Sequence, residues 1–140
     1  MTKREVTQLS YEIIGLAIKV HKVLGPGLLE SVYERCLKYE LIKNEFDVKQ
    51  QMRVPVVYEN IIIDTDLRLD LLVNDCVVND CVVVELKAIE TVPPVEEAKL
   101  LTYMKLLQKP QGLLINFFTD NISKSMKPFV NEYFRILHEE

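Results

Sequence analysis

VVVELKA, residues 82–88, is the stretch that decides the fold. Val82, Val83, Val84, Leu86 and Ala88 make a nearly unbroken apolar run, which is how a central strand covered on both faces reads. Two charges, Glu85 and Lys87, interrupt it. A buried charge is expensive unless it is paired or bound to a metal, so both require a reason. Residues i and i+2 of a strand share a face, so Glu85 and Lys87 point the same way, and an acid on the neighbouring strand can join them.

The acid comes from upstream. Ile61 to Val73 alternates with period two, setting Ile63, Leu67, Leu69, Leu71 and Val73 on one side and Asp64, Asp66, Arg68 and Asp70 on the other. Between the two strands lies NDCVVNDCVV, residues 74–83, five letters written twice. A two-residue turn at Asn74-Asp75 sets Asp70 opposite Asn79, short of Glu85 by roughly 20 Å at ~3.3 Å per residue. A turn at Asn79-Asp80 sets Asp70 opposite Ile89, about 13 Å beyond by the same rise. Only a connection centred between Val77 and Val78 faces Asp70 with Glu85, and two valines resist the positive φ of a tight turn. The expectation is an opened or bulged loop over about 74–81 that lengthens the hairpin tip and preserves the pairing below it.

Further out, Ile13, Ile14, Ala17, Val20 and Leu24 recur at helical spacing, predicting a helix from Ser10, as N-cap, to the stop at Gly25-Pro26-Gly27. A second helix runs through Leu29, Val32, Tyr33, Cys36, Leu37 and Leu41 to about Asn44. Phe46 to Tyr58 alternates as a half-exposed strand, with Pro55 marking an edge or a bulge. Downstream, Thr91 to Leu107 reads as a helix with Pro93-Pro94 near its start, and Gly112 to Phe118 as another buried strand. Phe129, Val130, Tyr133, Phe134 and Leu137 predict a last helix, with Pro128 in its first turn. The order helix, helix, three strands, helix, strand, helix describes an α/β protein of α+β type, a mixed sheet flanked by helices. At 140 residues the span 1–140 makes one domain with a single core.

Composition narrows the partners. No stretch approaches the ~18 apolar residues of a membrane span and no signal-type segment leads the chain, which predicts a soluble, cytoplasmic protein without a membrane partner. Three cysteines without metal-type spacing suit a reducing compartment and argue against zinc. Formal charge is −4, so no global cationic field gathers nucleic acid, and local lysines or a metal ion must serve any phosphate contact. The four glycines stand at positions 15, 25, 27 and 112, which form no phosphate-cradling loop, and no Ser-His-Asp set is legible.

Asp70, Glu85 and Lys87 therefore form the sharpest constellation. Two carboxylates at that range suit Mg²⁺ or Mn²⁺, a hard cation that keeps several waters and accepts phosphate oxygens, while the lysine orients or deprotonates an attacking water. The other reading is an ordinary salt bridge on a sheet face. Glu30, in the first turn of the second helix, reads either as a dipole-stabilising cap or as a site acid; Tyr33 reads as a core residue with a wet tip, and His21 as a partner of a helix C-terminus.

Five ordered blocks carry a resemblance. Leu24-Gly25-Pro26-Gly27-Leu28-Leu29-Glu30-Ser31-Val32-Tyr33-Glu34, Asp70 to Val73, Val84 to Ala88, Glu97 to Tyr103 and Gly112 to Phe117 resemble the GxxExxY proteins, grouped with the PD-(D/E)XK nuclease superfamily. The resemblance implies a restriction-endonuclease-like core in which Asp70, Glu85 and Glu30 hold Mg²⁺ or Mn²⁺ and Lys87 serves the water. It further implies that Lys99, Tyr103 and Tyr33 contact substrate, and that the partner is DNA or RNA. Two departures stand out: members carry glutamine where Lys99 stands, and their interval before the Glu-x-Lys strand is shorter by the five residues of the repeat. A non-catalytic nucleic-acid-binding or assembly module that keeps the fold is the alternative. Oligomeric state is left open.

Overall fold

The strand read at residues 82–88 is the middle of the sheet. In a computed structural model, which describes residues 2–74 and 81–140, β1 (Asp47–Arg53), β4 (Arg68–Asn74), β5 (Cys81–Lys87), β6 (Gln111–Asn116) and β7 (Met126–Val130) stand in the order β1-β4-β5-β6-β7. β5 is antiparallel to β4 and parallel to β6, and the parallel step is made by the crossover helix α3 (Pro94–Leu107). Helices α1 (Lys3–Leu24) and α2 (Glu30–Lys43) cover the other face, and α4 (Ile122–Ser125) and α5 (Glu132–Arg135) are single turns beside β7. The expected mixed sheet flanked by helices is what forms.

Alternation sends the strand residues to two clusters. Val82, Val84 and Leu86 pack with Leu71, Val73, Leu113 and Ile115 against Ile13, Ala17, Tyr33 and Leu37 of α1 and α2. Val83, Leu72 and Leu114 pack against Leu100, Tyr103 and Met104 of α3. Burial on both faces explains the near-continuous apolar reading of β5. α3 sits close because β6 carries Gly112, where a Cβ would stand 2.7 Å from Met104 Sδ and 2.9 Å from Leu100 Cδ1.

The register below the repeat is the one that faces Asp70 with Glu85. Asn74 pairs with Cys81 and Leu71 with Val84, and one further step reaches Asp70 and Glu85. The expected loop over 74–81 falls mainly at residues 75–80, outside the described residues.

Three boundaries differ from the sequence reading. The first helix starts seven residues before Ser10, at Lys3, because Thr2 and Glu5 form a capping box, while Ser10 Oγ donates to the Val6 carbonyl within the helix at 3.1 Å. The long alternating segments each break in two: the chain leaves the main sheet at Pro55 and forms a separate hairpin from β2 (Val56–Tyr58) and β3 (Ile61–Ile63). The last helix begins as a strand and keeps a single helical turn. Phe129 and Val130 belong to β7 at the sheet edge, where Pro128 costs no ladder bond, and Asn131 caps only the short α5 through the amides of Tyr133 and Phe134.

Candidate functional site

The site is built where β4 and β5 part. Backbone pairing between them ends at Leu71 and Val84, and beyond that step the side chains take over. The Asp70 amide donates to Glu85 Oε1 at 3.1 Å, and the Leu86 amide donates to Asp70 Oδ2 at 2.7 Å. Each carboxylate thus satisfies an amide of the opposite strand, so two acids are buried in the sheet without orphaning the backbone. Asp70 and Glu85 are 8% and 2% exposed. Across β4, Gln51 of β1 takes φ 51°, a strained backbone for a residue with a side chain, and donates through Nε2 to Asp70 Oδ1 at 3.2 Å. The alternation slips at this step: Leu69 packs on the α3 side and Leu71 on the α1/α2 side, although period two puts them together.

Glu85 bears the cost of this placement. Burial first, and the charge of Asp70 second, push its carboxyl up to about 8. Glu30, half-buried at the start of α2, is raised by burial and by Asp70, with Lys87 pulling the other way. Glu34, one turn along the same helix face, is also raised, chiefly by burial. Its two oxygens accept from Gln50 Nε2 at 2.6 Å and Gln51 Nε2 at 2.8 Å, so Gln51 bridges Glu34 and Asp70.

The basic side converges on a residue that the sequence reading missed. Lys87 Nζ and Lys99 Nζ each lie 3.2 Å from Glu96 Oε2. Burial pulls the Glu96 carboxyl upward, but hydrogen bonds from the two lysines outweigh it and leave the group below its ordinary value. The same pair acts on Lys99, where the bond to Glu96 and the charge of Glu85 overcome desolvation and raise the ammonium. Lys99 Nζ also stands 5.9 Å from the centroid of the Tyr103 ring. Tyr103 itself is buried beside Leu100 and Met104, its phenol raised by burial first and its charge environment including Glu85.

Asp70, Glu85, Lys87, Glu30, Lys99 and Tyr103 are therefore brought to one end of the sheet. Tyr33 is not. Its side chain is fully buried, its ring stacks on Phe117 at 4.4 Å, and its hydroxyl donates to the Gly25 carbonyl at 2.6 Å while accepting from the Leu28 amide at 3.1 Å. This closes the α1–α2 corner, where Gly25 and Gly27 take φ 73° and 95°. His21 likewise serves the scaffold, with Nε2 2.7 Å from the Thr119 carbonyl oxygen. Glu34 and Glu96 are the added members. Glu34 stands four residues after Glu30 on one helix face and Glu96 three before Lys99 on another, a spacing that gives a shared face and leaves its partners to the tertiary structure.

The donor set suits a hard divalent ion. Burial first, with the charge of Asp70 adding to it, raises Glu30, Glu34 and Glu85, while the lysines of the site are drawn to Glu96. Among the described residues no three His, Cys, Asp or Glu side chains form a ready ligand cage. Mg²⁺ is commonly held by one or two carboxylates and retained waters, so such a cage is not a requirement.

A parallel step between β5 and β6, an antiparallel β4 and helices on both faces define an α/β protein with a mixed sheet, whose β4–β5 fork holds two buried acids beside a lysine. The chain belongs to the PD-(D/E)XK nuclease superfamily, whose family model matches residues 7–129. No curated protein and no solved structure matches the chain significantly. Members of that superfamily generally use divalent metal ions and act on nucleic acid. Among the described residues no helix is long and apolar enough to cross a membrane.

Proposed function

We propose that this protein is a cytoplasmic nuclease, acting as one domain, that hydrolyses phosphodiester bonds of DNA or RNA with Mg²⁺ or Mn²⁺, and that within the superfamily it is a GxxExxY protein. The observation that carries the reading is the meeting of Asp70 and Glu85 at the β4–β5 fork, with Lys87 on the same face. Asp70 and Glu85 would hold the ion, with Glu30 contributing from α2. A bound divalent ion polarises the phosphoryl group and lowers the pKa of its water. Lys87, two residues from Glu85 on one strand face, orients the attacking water as a hydrogen-bond donor and offsets the charge that develops on the phosphoryl group, and Glu96 keeps that ammonium in place. Lys99 offers a point charge to a substrate phosphate, with Tyr103 beneath it.

Titrating Mg²⁺ and Mn²⁺ against the metal-free protein, and then incubating it with single- and double-stranded DNA and RNA, tests the assignment. Saturable metal binding and metal-dependent cleavage are expected. Nucleic acid retained without cleavage in either metal would favour the alternative, a binding or assembly module that keeps the fold, for which the acidic balance and the capture of both lysines by Glu96 speak.

A further inference from the structure

The β2–β3 hairpin forms a two-stranded sheet of its own, an arm apart from the five-stranded one. It pairs with no other strand among the described residues, and its last backbone link to the body is the bond from the Val54 amide to the Leu67 carbonyl at 2.8 Å. A lone two-stranded hairpin is at best marginally stable in water. This one is apolar on both faces: Val57 and Ile62 lie on one, Tyr58, Ile61 and Ile63 on the other, all exposed, and Ile62 is 80% exposed. Together with Leu67, and divided over the two faces, these side chains present on the order of 600 Å² of surface.

The two outer edges of the arm are unlike. Pro55 precedes β2 and removes a donor from that edge, whereas β3 is three isoleucines with no proline, lysine or bulge to blunt it. Charge also selects among occupants. Residues 54–67 contain Glu59, Asp64 and Asp66 and no lysine or arginine, and Asp64 and Asp66 are already paired with Arg53 and Arg68 at the root. A nucleic-acid wedge needs cations beside its apolar tip. This arm would meet a phosphate backbone with acids.

We infer that the arm is a homodimerisation element: β3 of one copy pairs antiparallel with β3 of a second about a two-fold axis at Ile62, giving a four-stranded β2-β3-β3-β2 sheet. Such pairing sets Ile61 opposite the partner's Ile63 and Asn60 opposite the partner's Asp64, so no like charges face each other. It satisfies the free edge, and it sets the isoleucines of the two copies in cross-strand contact on both faces of the shared sheet.

Sedimentation equilibrium of the full chain in EDTA over the micromolar range tests this independently of any metal or cleavage. The wild type is expected as a reversible dimer. Ile62→Glu, which sets two carboxylates across the axis, is expected to raise the dimer Kd at least tenfold with circular dichroism unchanged, while Val23→Glu, on the exposed face of α1, leaves it unaltered. Asn60→Lys is expected to tighten the dimer by facing the partner's Asp64, and Asn60→Asp to weaken it. A wild type that is monomeric throughout, including one that instead binds lipid vesicles or a DNA duplex, overturns the inference, as does an Ile62→Glu dimer as tight as wild type. Equal behaviour of Asn60→Lys and Asn60→Asp overturns the register.

Discussion

Asp70 and Glu85 are coupled by reciprocal hydrogen bonds to each other's strands: Glu85 Oε1 accepts the Asp70 amide at 3.1 Å, and Asp70 Oδ2 accepts the Leu86 amide at 2.7 Å. The two acids are therefore parts of the sheet as well as of the site. Removing a side chain and neutralising it are different experiments here.

Asp70→Asn and Glu85→Gln keep an acceptor oxygen and are expected to retain the fold while lowering cleavage by at least about a hundredfold, in the range attributed to one well-placed group. Asp70→Ala orphans the buried Leu86 amide and is expected to cost about 1–3 kcal/mol in denaturant unfolding as well. If Asp70→Asn cleaves at the wild-type rate, Asp70 is not a site residue.

The raised Glu85 carboxyl sets a pH dependence with a definite sign. Its folded-state pKa is about 8 against an ordinary 4.5, so the stability it contributes to the metal-free protein is intact below 4.5 and is lost as pH rises through about 8. Glu30 and Glu34 shift in the same direction. Thermal unfolding without metal is expected to weaken from acid toward alkaline pH, and Glu85→Gln to flatten that slope. With Glu85 as a ligand, metal binding is expected to release its proton and Mg²⁺ affinity to increase up to about pH 8, with proton release visible by calorimetry in buffers of different ionisation enthalpy.

Glu96 holds both lysines at 3.2 Å, and substitutions are expected to separate them. Glu96→Gln is expected to lower kcat by up to about a hundredfold through misplacement of Lys87, with metal affinity retained. Lys99→Gln is expected to act on KM instead, and to reduce the salt slope of substrate binding by roughly one charge. Tighter Mg²⁺ binding in Lys99→Gln would show that this lysine competes with the metal rather than contacting phosphate.

Gly112→Ala is expected to loosen α3. The new Cβ would meet Met104 Sδ at 2.7 Å and Leu100 Cδ1 at 2.9 Å, a clash typical of overpacking costs of about 1–3 kcal/mol. Because α3 carries Glu96 and Lys99, activity is expected to fall with stability. Tyr33→Phe separates the two effects: losing the bonds to Gly25 and Leu28 should lower the melting temperature without changing kcat below it.

What the sequence by itself determined were the features written in local periodicity. The apolar run around Glu85 placed β5 in the middle of the sheet, and strand arithmetic faced Asp70 with Glu85 across a doubled pentapeptide, because side-chain alternation and residue rise are fixed by the backbone. Helical spacing marked α2 and α3 nearly to their ends. Period alone failed where two patterns overlap: Phe129 to Leu137 fits a helix, yet pairing with β6 claims Phe129 and Val130, since a free sheet edge satisfies their amides better than an isolated turn does. Tertiary structure alone decided that Glu34 and Glu96 join the site and that Tyr33 does not. Glu34 meets Asp70 and is joined to it through Gln51, both of which lie on different elements from its own; Glu96 meets Lys87, whose strand meets α3 only in the folded chain; and the Tyr33 hydroxyl is consumed by the Gly25 carbonyl and the Leu28 amide at the α1–α2 corner. Such assignments rest on contacts between residues distant in sequence, and no local pattern encodes which of two helix faces will meet which edge of the sheet.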